Sequence, residues 1–187
     1  MHTPTHVKGP ETTDQTLLVL LAQSGDRAAL ERLLRETYAP LHRYIVRLAG
    51  AGLADDILQE TSLQIFRKLR FLREPAVFRA WAFRIASRIA FSHLKHAQRW
   101  QPLEDAPPEH LATPNPNFGE PPDAAFFTLL EHVSPASRAV LLLHYQHDLS
   151  LEESAAILEI PIGTVKSRLH YGVTTLRKHL TSERKPT

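Results

Sequence analysis

Proline sets the first limit on this chain. Seven of its fourteen prolines, at 102, 107, 108, 114, 116, 121 and 122, fall in the one stretch from Gln101 to Pro122. Proline has no N–H to give to a helix or a sheet ladder, and its φ is fixed. So dense a run excludes helix and strand and predicts an extended, semi-rigid tether. The 187 residues are thereby split into two units, each with a small core. No alternating run of β-branched residues occurs, while apolar spacings of three and four recur throughout. The expected fold is all-α: two small helical domains joined by a Pro-rich acidic linker. The expected organisation is a tail over 1–13, a helical domain over 14–101, the linker over 102–122, a second helical domain over 123–181 and a tail over 182–187.

Charge changes sign at the same boundary. From Arg67 to Arg99, nine Lys and Arg residues stand against Glu74 alone, a net +8. From Gln101 to Glu131 there are six acidic residues and no Lys or Arg. The overall net charge of +2 averages the two. Such segregation points to a polyanion-binding surface followed by an acidic connector. The chain has no cysteine, which excludes disulfides and thiolate metal sites and fits a reducing cytoplasm. Its longest apolar run, Leu17 to Ala22, falls far short of the roughly 20 residues needed to span a bilayer. No basic start followed by an apolar block opens the sequence, so neither a membrane span nor a signal peptide is expected.

Helical signals can be placed in order. A helix from Asp14 to Gln23 should end at Gly25, and Asp26 can cap the next, with Leu30, Leu33 and Leu34 inward. Pro40 marks a kink or a new start, after which Leu41, Ile45 and Leu48 continue the apolar face. A long helix from Leu53 to Leu69 would bury Ile57, Leu58, Ser62, Ile65, Phe66 and Leu69. Asp55 and Asp56 sit at its N-terminus, where the dipole favours anions. Glu74-Pro75 makes residues 70–77 a loop. From Phe78 to Trp100 a further helix carries Arg79, Arg84, Arg88, Lys95 and Arg99 on a basic side. Its aromatics, Trp81 and Phe83, have two readings. They are core, the commoner case, or they stack on unpaired bases while the arginines hold phosphates.

After the linker, Phe126, Phe127, Leu129 and Leu130 begin the second domain, and Ser134-Pro135 starts a helix with serine as cap. Val140 to Leu143 should be buried. Ser150 and Glu153 form a capping box, with Leu151, Ala155 and Leu158 on one face. Pro161 and Gly163 interrupt the chain, and a second helix can run with Val165, Leu169, Val173, Leu176 and Leu180 inward. Lys166, Ser167, Arg168, His170 and Tyr171 are left outward. Two helices, a tight turn and a basic, hydrogen-bonding outer face are the layout of a DNA-reading helix-turn-helix.

Three stretches together resemble one family. Gly163-Thr-Val-Lys-Ser-Arg-Leu169, preceded by Glu153-Ser-Ala-Ala-Ile-Leu-Glu-Ile-Pro161, resembles the DNA-binding region of extracytoplasmic-function (ECF) sigma factors, group IV of the sigma-70 family. Ala54-Asp-Asp-Ile-Leu-Gln-Glu60 resembles their core-binding helix, and Phe78-Arg-Ala-Trp-Ala-Phe-Arg-Ile-Ala86 their melting and minus-ten-reading segment. The resemblance covers about residues 14–181. It implies a non-catalytic subunit with no cofactor and no metal, which directs bacterial RNA polymerase to promoters and assists minus-ten melting.

Its implied partners are the beta-prime and beta subunits of core polymerase, promoter DNA and, as a further candidate, an anti-sigma factor. Asp56, Gln59 and Glu60 match the positions that grip the beta-prime coiled coil. Residues 70–77 match the loop that captures a flipped minus-ten base, and Trp81, Arg84, Arg88 and Lys95 the strand-separating surface. Thr164, Lys166, Ser167, Arg168, His170 and Tyr171 match the face entering the minus-35 major groove. The linker would follow the RNA exit path. Arg88, Ser92, Tyr171 and Gly172 depart from the residues common in the family (Asn, Asp, Arg and Ala), so promoter sequence does not transfer across them.

Two other classes compete. A regulator acting without core polymerase would use only the helix-turn-helix. The paired acidic and amide residues of 55–60 and the basic aromatic helix argue against it. A metal enzyme is suggested by eleven histidines, with His93/His96 and His144/His147 as the nearest pairs. Neither pair has a carboxylate at metal-site spacing.

Overall fold

The computed structural model describes residues 10–98 and 129–183. The expected linker, the expected tails apart from residues 10–13 and 182–183, Arg99, Trp100, Phe126 and Phe127 lie outside the described residues. Seven α-helices run through the described residues: α1 Pro10–Gln23, α2 Arg27–Ala49, α3 Ala51–Lys68, α4 Phe78–Gln98, α5 Pro135–Leu141, α6 Leu151–Leu158 and α7 Ile162–Glu183. Short 3-10 turns lie at Leu69–Phe71, Pro75–Val77 and Leu129–His132, and a π-turn at Leu142–Gln146. No strand occurs among them, so the chain is all-α as expected.

The N-terminal unit is built on α2. Asp26 caps it, accepting a hydrogen bond from the Ala29 N–H at 3.0 Å. Pro40 does not restart the helix; α2 runs through it as one rod. A proline removes one hydrogen bond and crowds the preceding turn. Here Leu33, Leu41, Tyr44, Ile45 and Leu48, buried on both sides of Pro40, hold the rod in place. Gly50 alone joins α2 to α3, at φ 88° and ψ 157°, a conformation open to glycine because it lacks Cβ. This lets α3 begin at Ala51, two residues earlier than expected.

Tyr44 pins α2 to α4. Its hydroxyl lies 2.8 Å from Ser87 Oγ, and Ser87 donates its own proton to the Phe83 carbonyl at 2.8 Å. Tyr44 is therefore the donor, and its burial pushes the phenol pKa up. Phe83 is 2% exposed and meets Tyr44 edge-on at 5.3 Å, which settles it as core. Phe66, by contrast, was expected inside and is 57% exposed. The buried stripe of α3 is Ala54, Ile57, Leu58, Thr61 and Ile65. Phe66 follows Ile65 by one residue and so turns about 100° away from that stripe.

In the C-terminal unit Ser134 caps α5 and Pro135 occupies its first turn, as expected. Leu141, Leu142 and Leu143 are fully buried. Both halves of the capping box on α6 form: the Glu153 N–H donates to Ser150 Oγ at 3.0 Å, and the Ser150 N–H to Glu153 Oε2 at 2.8 Å. The buried face of α6 differs from expectation. Leu151, Ala155 and Leu158 are half-buried, while Ser154 and Ile157 are the fully buried pair. The helix is wedged between α4 and α7, so its deepest line lies between those two contacts. Glu159 ends α6 in the left-handed region at φ 55°, and the Ile160 N–H closes back on the Ala155 carbonyl at 3.2 Å. The turn of the helix-turn-helix is thus made without glycine at its left-handed position. Val165, Leu169 and Leu176 then bury α7, which begins at Ile162.

The two units share one continuous apolar cluster. Arg138 of α5 donates to Leu48 O at the end of α2 (3.2 Å), to Glu131 O (3.2 Å) and to Val133 O (2.9 Å). It thereby caps α2 from the other unit. Burial lowers its pKa, with Glu131 acting the other way. Arg47 of α2 donates to Gln146 Oε1 at 2.7 Å. His147 is 3% exposed, with its ring 5.9 Å from Tyr44 and 4.6 Å from Phe83.

Gly172, one of the four departing positions named above, is buried. A Cβ there would lie 2.8 Å from Leu141 Cδ1, and Leu141 is itself fully buried. The absence of a side chain at Gly172 lets α7 pass close to Leu141. Gly172→Val should lower unfolding free energy by about 1–3 kcal/mol through overpacking, read by urea titration. Arg138→Met keeps the stem but removes three charged hydrogen bonds. It should cost on the order of 2 kcal/mol by the same measurement.

Candidate nucleic-acid interface

The acidic and amide residues singled out on α3 form one exposed line. Asp56, Gln59 and Glu60 are all exposed, opposite the buried stripe. Glu60 Oε2 lies 3.2 Å from His93 Nε2 on α4, a contact open to solvent. Further along the same line stand Leu63, 44% exposed, and Phe66, 57% exposed. The helix therefore presents a polar first half and an apolar second half on one face. Periodicity could have found Leu63, which falls at the i+7 position from Asp56.

The expected strand-separating surface on α4 is partly covered. Trp81 is half-buried, with its ring 6.0 Å from that of Phe78. Arg84 Nε donates to the Ala156 carbonyl of α6 at 3.1 Å. One turn before it, Arg79 donates to the His147 carbonyl. Arg88 and Lys95 are exposed. Of the four residues named on this helix, two are open and two are engaged or half-covered within the fold.

Beside α4, residues 69–77 form two short turns rather than an irregular loop. Gln23 of α1 holds the first, its side-chain amide donating to Leu69 O at 2.9 Å and Leu72 O at 2.7 Å. Phe71 projects from this turn, 66% exposed, with the Arg70 guanidinium 4.5 Å from its ring centre. Neither Gln23 nor Phe71 was singled out from sequence. No local pattern marks a glutamine that reaches 46 residues along the chain.

On α7, Lys166, His170 and Tyr171 are exposed, Tyr171 by 60%. Thr164 and Ser167 are half-buried, and Ser167 Oγ donates to Thr164 O at 3.0 Å. That leaves the Ser167 oxygen as an acceptor toward solvent. Arg168 is half-buried, and burial lowers its pKa. The six residues lie on one helix but divide into an exposed set and a half-covered set.

Three of the four paired histidines have partners within the fold. His144 Nδ1 meets the Leu149 carbonyl at 2.9 Å, His147 lies between the units, and His93 pairs with Glu60. Among the described residues no group of three or more His, Cys, Asp or Glu converges. Nor is any helix there long and apolar enough to cross a membrane.

Comparison with known proteins bears on what this arrangement is. Residues 33–100 match the family model "Sigma-70 region 2" and residues 124–176 the model "Sigma-70, region 4". The ECF RNA polymerase sigma factor SigL of Mycobacterium tuberculosis is 34% identical over 165 residues, 82% of this chain and 92% of the relative. The probable RNA polymerase sigma-C factor of Mycobacterium bovis is 30% identical over 156 residues, 82% of this chain and 84% of the relative. Two solved structures share the fold. CnrH in complex with the cytosolic domain of CnrY aligns at a TM-score of 0.65 and 20% identity, over 90% of this chain and 98% of the other. RpoE of Bartonella quintana with the anti-sigma factor NepR aligns at 0.63 and 24%, over 82% and 98%. The matched segments are the two helical units just described, in order and on either side of the proline-rich stretch, and the chain belongs to the ECF family of RNA polymerase sigma factors.

Proposed function

We propose that this sigma factor directs core polymerase through three separate faces of the two units. The line Asp56–Gln59–Glu60, continued by Leu63 and Phe66, grips the beta-prime subunit. The α4 face with Trp81, Arg84, Arg88 and Lys95 holds the separated minus-ten strand, with the turn bearing Phe71 beside it. The α7 face reads the minus-35 element, and the C-terminal unit meets the beta subunit. The observation that carries this reading is the α3 line. It is exposed, polar at one end and apolar at the other, and the fold has no other use for Leu63 or Phe66. Anchors of this mixed kind concentrate binding energy when water is excluded around them.

The division of labour on DNA follows from chemistry. Lys166 and Arg168 suit phosphates, while Ser167, His170 and Tyr171 are placed for base edges. Unpairing costs energy that stacking on exposed aromatics offsets, roughly 1–3 kcal/mol per base. Two of the similar structures are complexes with a second protein, in one case an anti-sigma factor. We extend a partner of that kind to this chain, with Leu63, Phe66 and Phe71 as the apolar contacts such a partner would cover.

Run-off transcription with purified core polymerase on genomic fragments, with starts mapped, tests the whole reading; a chain that supports no specific start sinks it. The double variant Gln59→Ala, Glu60→Ala should weaken core binding by about tenfold or more in a pull-down titration, with helicity unchanged because both positions are exposed. Arg168→Ala should lower promoter occupancy evenly across sequence variants and reduce the salt slope by about one, measured by anisotropy of holoenzyme on labelled promoters.

A further inference from the structure

The seam between the two units has a single seated side chain at its centre. His147 leaves the C-terminal unit directly after the π-turn and enters a socket walled by Tyr44 of α2 and Phe83 of α4. Its hydrogen bonding is determined by its neighbour. Arg47 of the N-terminal unit donates to Gln146 Oε1 at 2.7 Å. That fixes the amide, so its nitrogen faces His147 Nε2 at 3.1 Å. An amide nitrogen only donates, so His147 Nε2 must accept, and the ring is neutral. The charged groups facing it are all cations: Arg43 and Arg47 of α2 and Arg79 of α4. Tyr44 faces it as a neutral phenol. The same seating brings α6 onto α4, where Arg84 is held by Ala156 O, and brings Arg79 to the His147 carbonyl.

We propose that His147 is a latch that holds the two units shut in a self-inhibited state, in which the C-terminal unit engages Arg84 and so withholds part of the single-strand surface of α4. The inhibitory half of this rests on the reading of α4 given above; the latch itself does not. A protonated ring would set two donors face to face at Gln146 and add a fourth cation to the socket. Burial first, and then Arg79, Arg43 and Arg47, push the ring's pKa down to about 3. In the open state it would return toward its ordinary value near 6.5. The closed state therefore binds fewer protons. Its advantage is complete above about pH 6.5 and is lost progressively as pH falls toward 3.

The sequence has no cysteine, so Glu31→Cys on α2 and Lys178→Cys on α7, both exposed, can carry a donor–acceptor pair in the full chain. Energy transfer should report an opening constant that rises about tenfold from pH 7.5 to 5.5. His147→Phe, a neutral ring of similar shape, should stay closed and flat across that range. His147→Ala should be open and equally flat, with far-UV circular dichroism confirming that its helices remain. A wild-type chain that does not respond to pH, or an alanine variant as closed as the wild type, overturns the latch.

Inhibition is read separately at pH 7.5 with a fluorescein-labelled twenty-base oligothymidylate. Freeing Arg84 should steepen the salt dependence of His147→Ala by about 0.7 over wild type. An open variant with an unchanged slope removes the inhibitory role. Failure of every form to bind the oligonucleotide, with the transfer switch intact, instead removes the reading of α4 as a strand surface, and the inhibitory role with it.

Discussion

Carbonyl oxygens at helix ends need donors, and in this protein several of those donors come from the other half of the chain. Arg138 reaches across to the end of α2, Arg79 to the backbone of His147, and Arg84 to α6. Each is an arginine, whose fixed fork of donors suits carbonyl oxygens and whose charge is hard to remove. The part-buried bonds of Arg138 and Arg79 gain from a lowered local dielectric, and breaking one side leaves a polar group stranded, whereas the Arg84 bond is open to solvent. The positions of α4 and α6, and so of everything displayed on them, depend on these cross-unit contacts as much as on apolar packing.

That dependence has a functional side. Of the four residues proposed to hold nucleic acid on α4, Arg84 also bonds the second unit, while Arg88 and Lys95 stay exposed. An arginine whose Nε is held by a carbonyl of its own fold, as Arg84 is by Ala156 O, has fewer donors and less freedom to offer a phosphate. By contrast the α3 line has no cross-unit duty and stands exposed. The candidate polymerase-binding line and the candidate strand surface thus have different relations to how the two units sit.

Much of the fold could be read from the chain. Ser134, Ser150 with Glu153, and Asp26 each cap the helix their type and spacing announce. The inner face of α7 follows the period of 3.6. What sequence misplaced was decided by neighbours. Phe66 looks like core because aromatics usually are, yet it sits one residue off the buried stripe. Ser154 looks like surface, yet it is buried where α6 is pressed from two sides. Gly172 looks like a change on a reading face, yet it makes room for Leu141. The shared exposed line of Asp56, Gln59 and Glu60, candidate residues on one helix, was legible from their spacing. What depends on contacts 46 to 99 residues apart was illegible, as with Gln23, Arg47 and Arg79.

The π-turn at Leu142–Gln146 decides where the second unit points. A π-turn amounts to one residue added to an α-helix, and one residue is about 100° of rotation. Gln146 and His147 follow that addition, so the angle at which they leave the helix is set by it. Were a residue removed and the turn healed to plain α-helix, both side chains would swing by about a quarter of a circle and miss the N-terminal unit. The leucines before the turn would keep their places in the core. The seating of Gln146 and His147 against the first unit is therefore written as a phase, carried by a single surplus residue, beside the contact that Arg138 makes ahead of the turn.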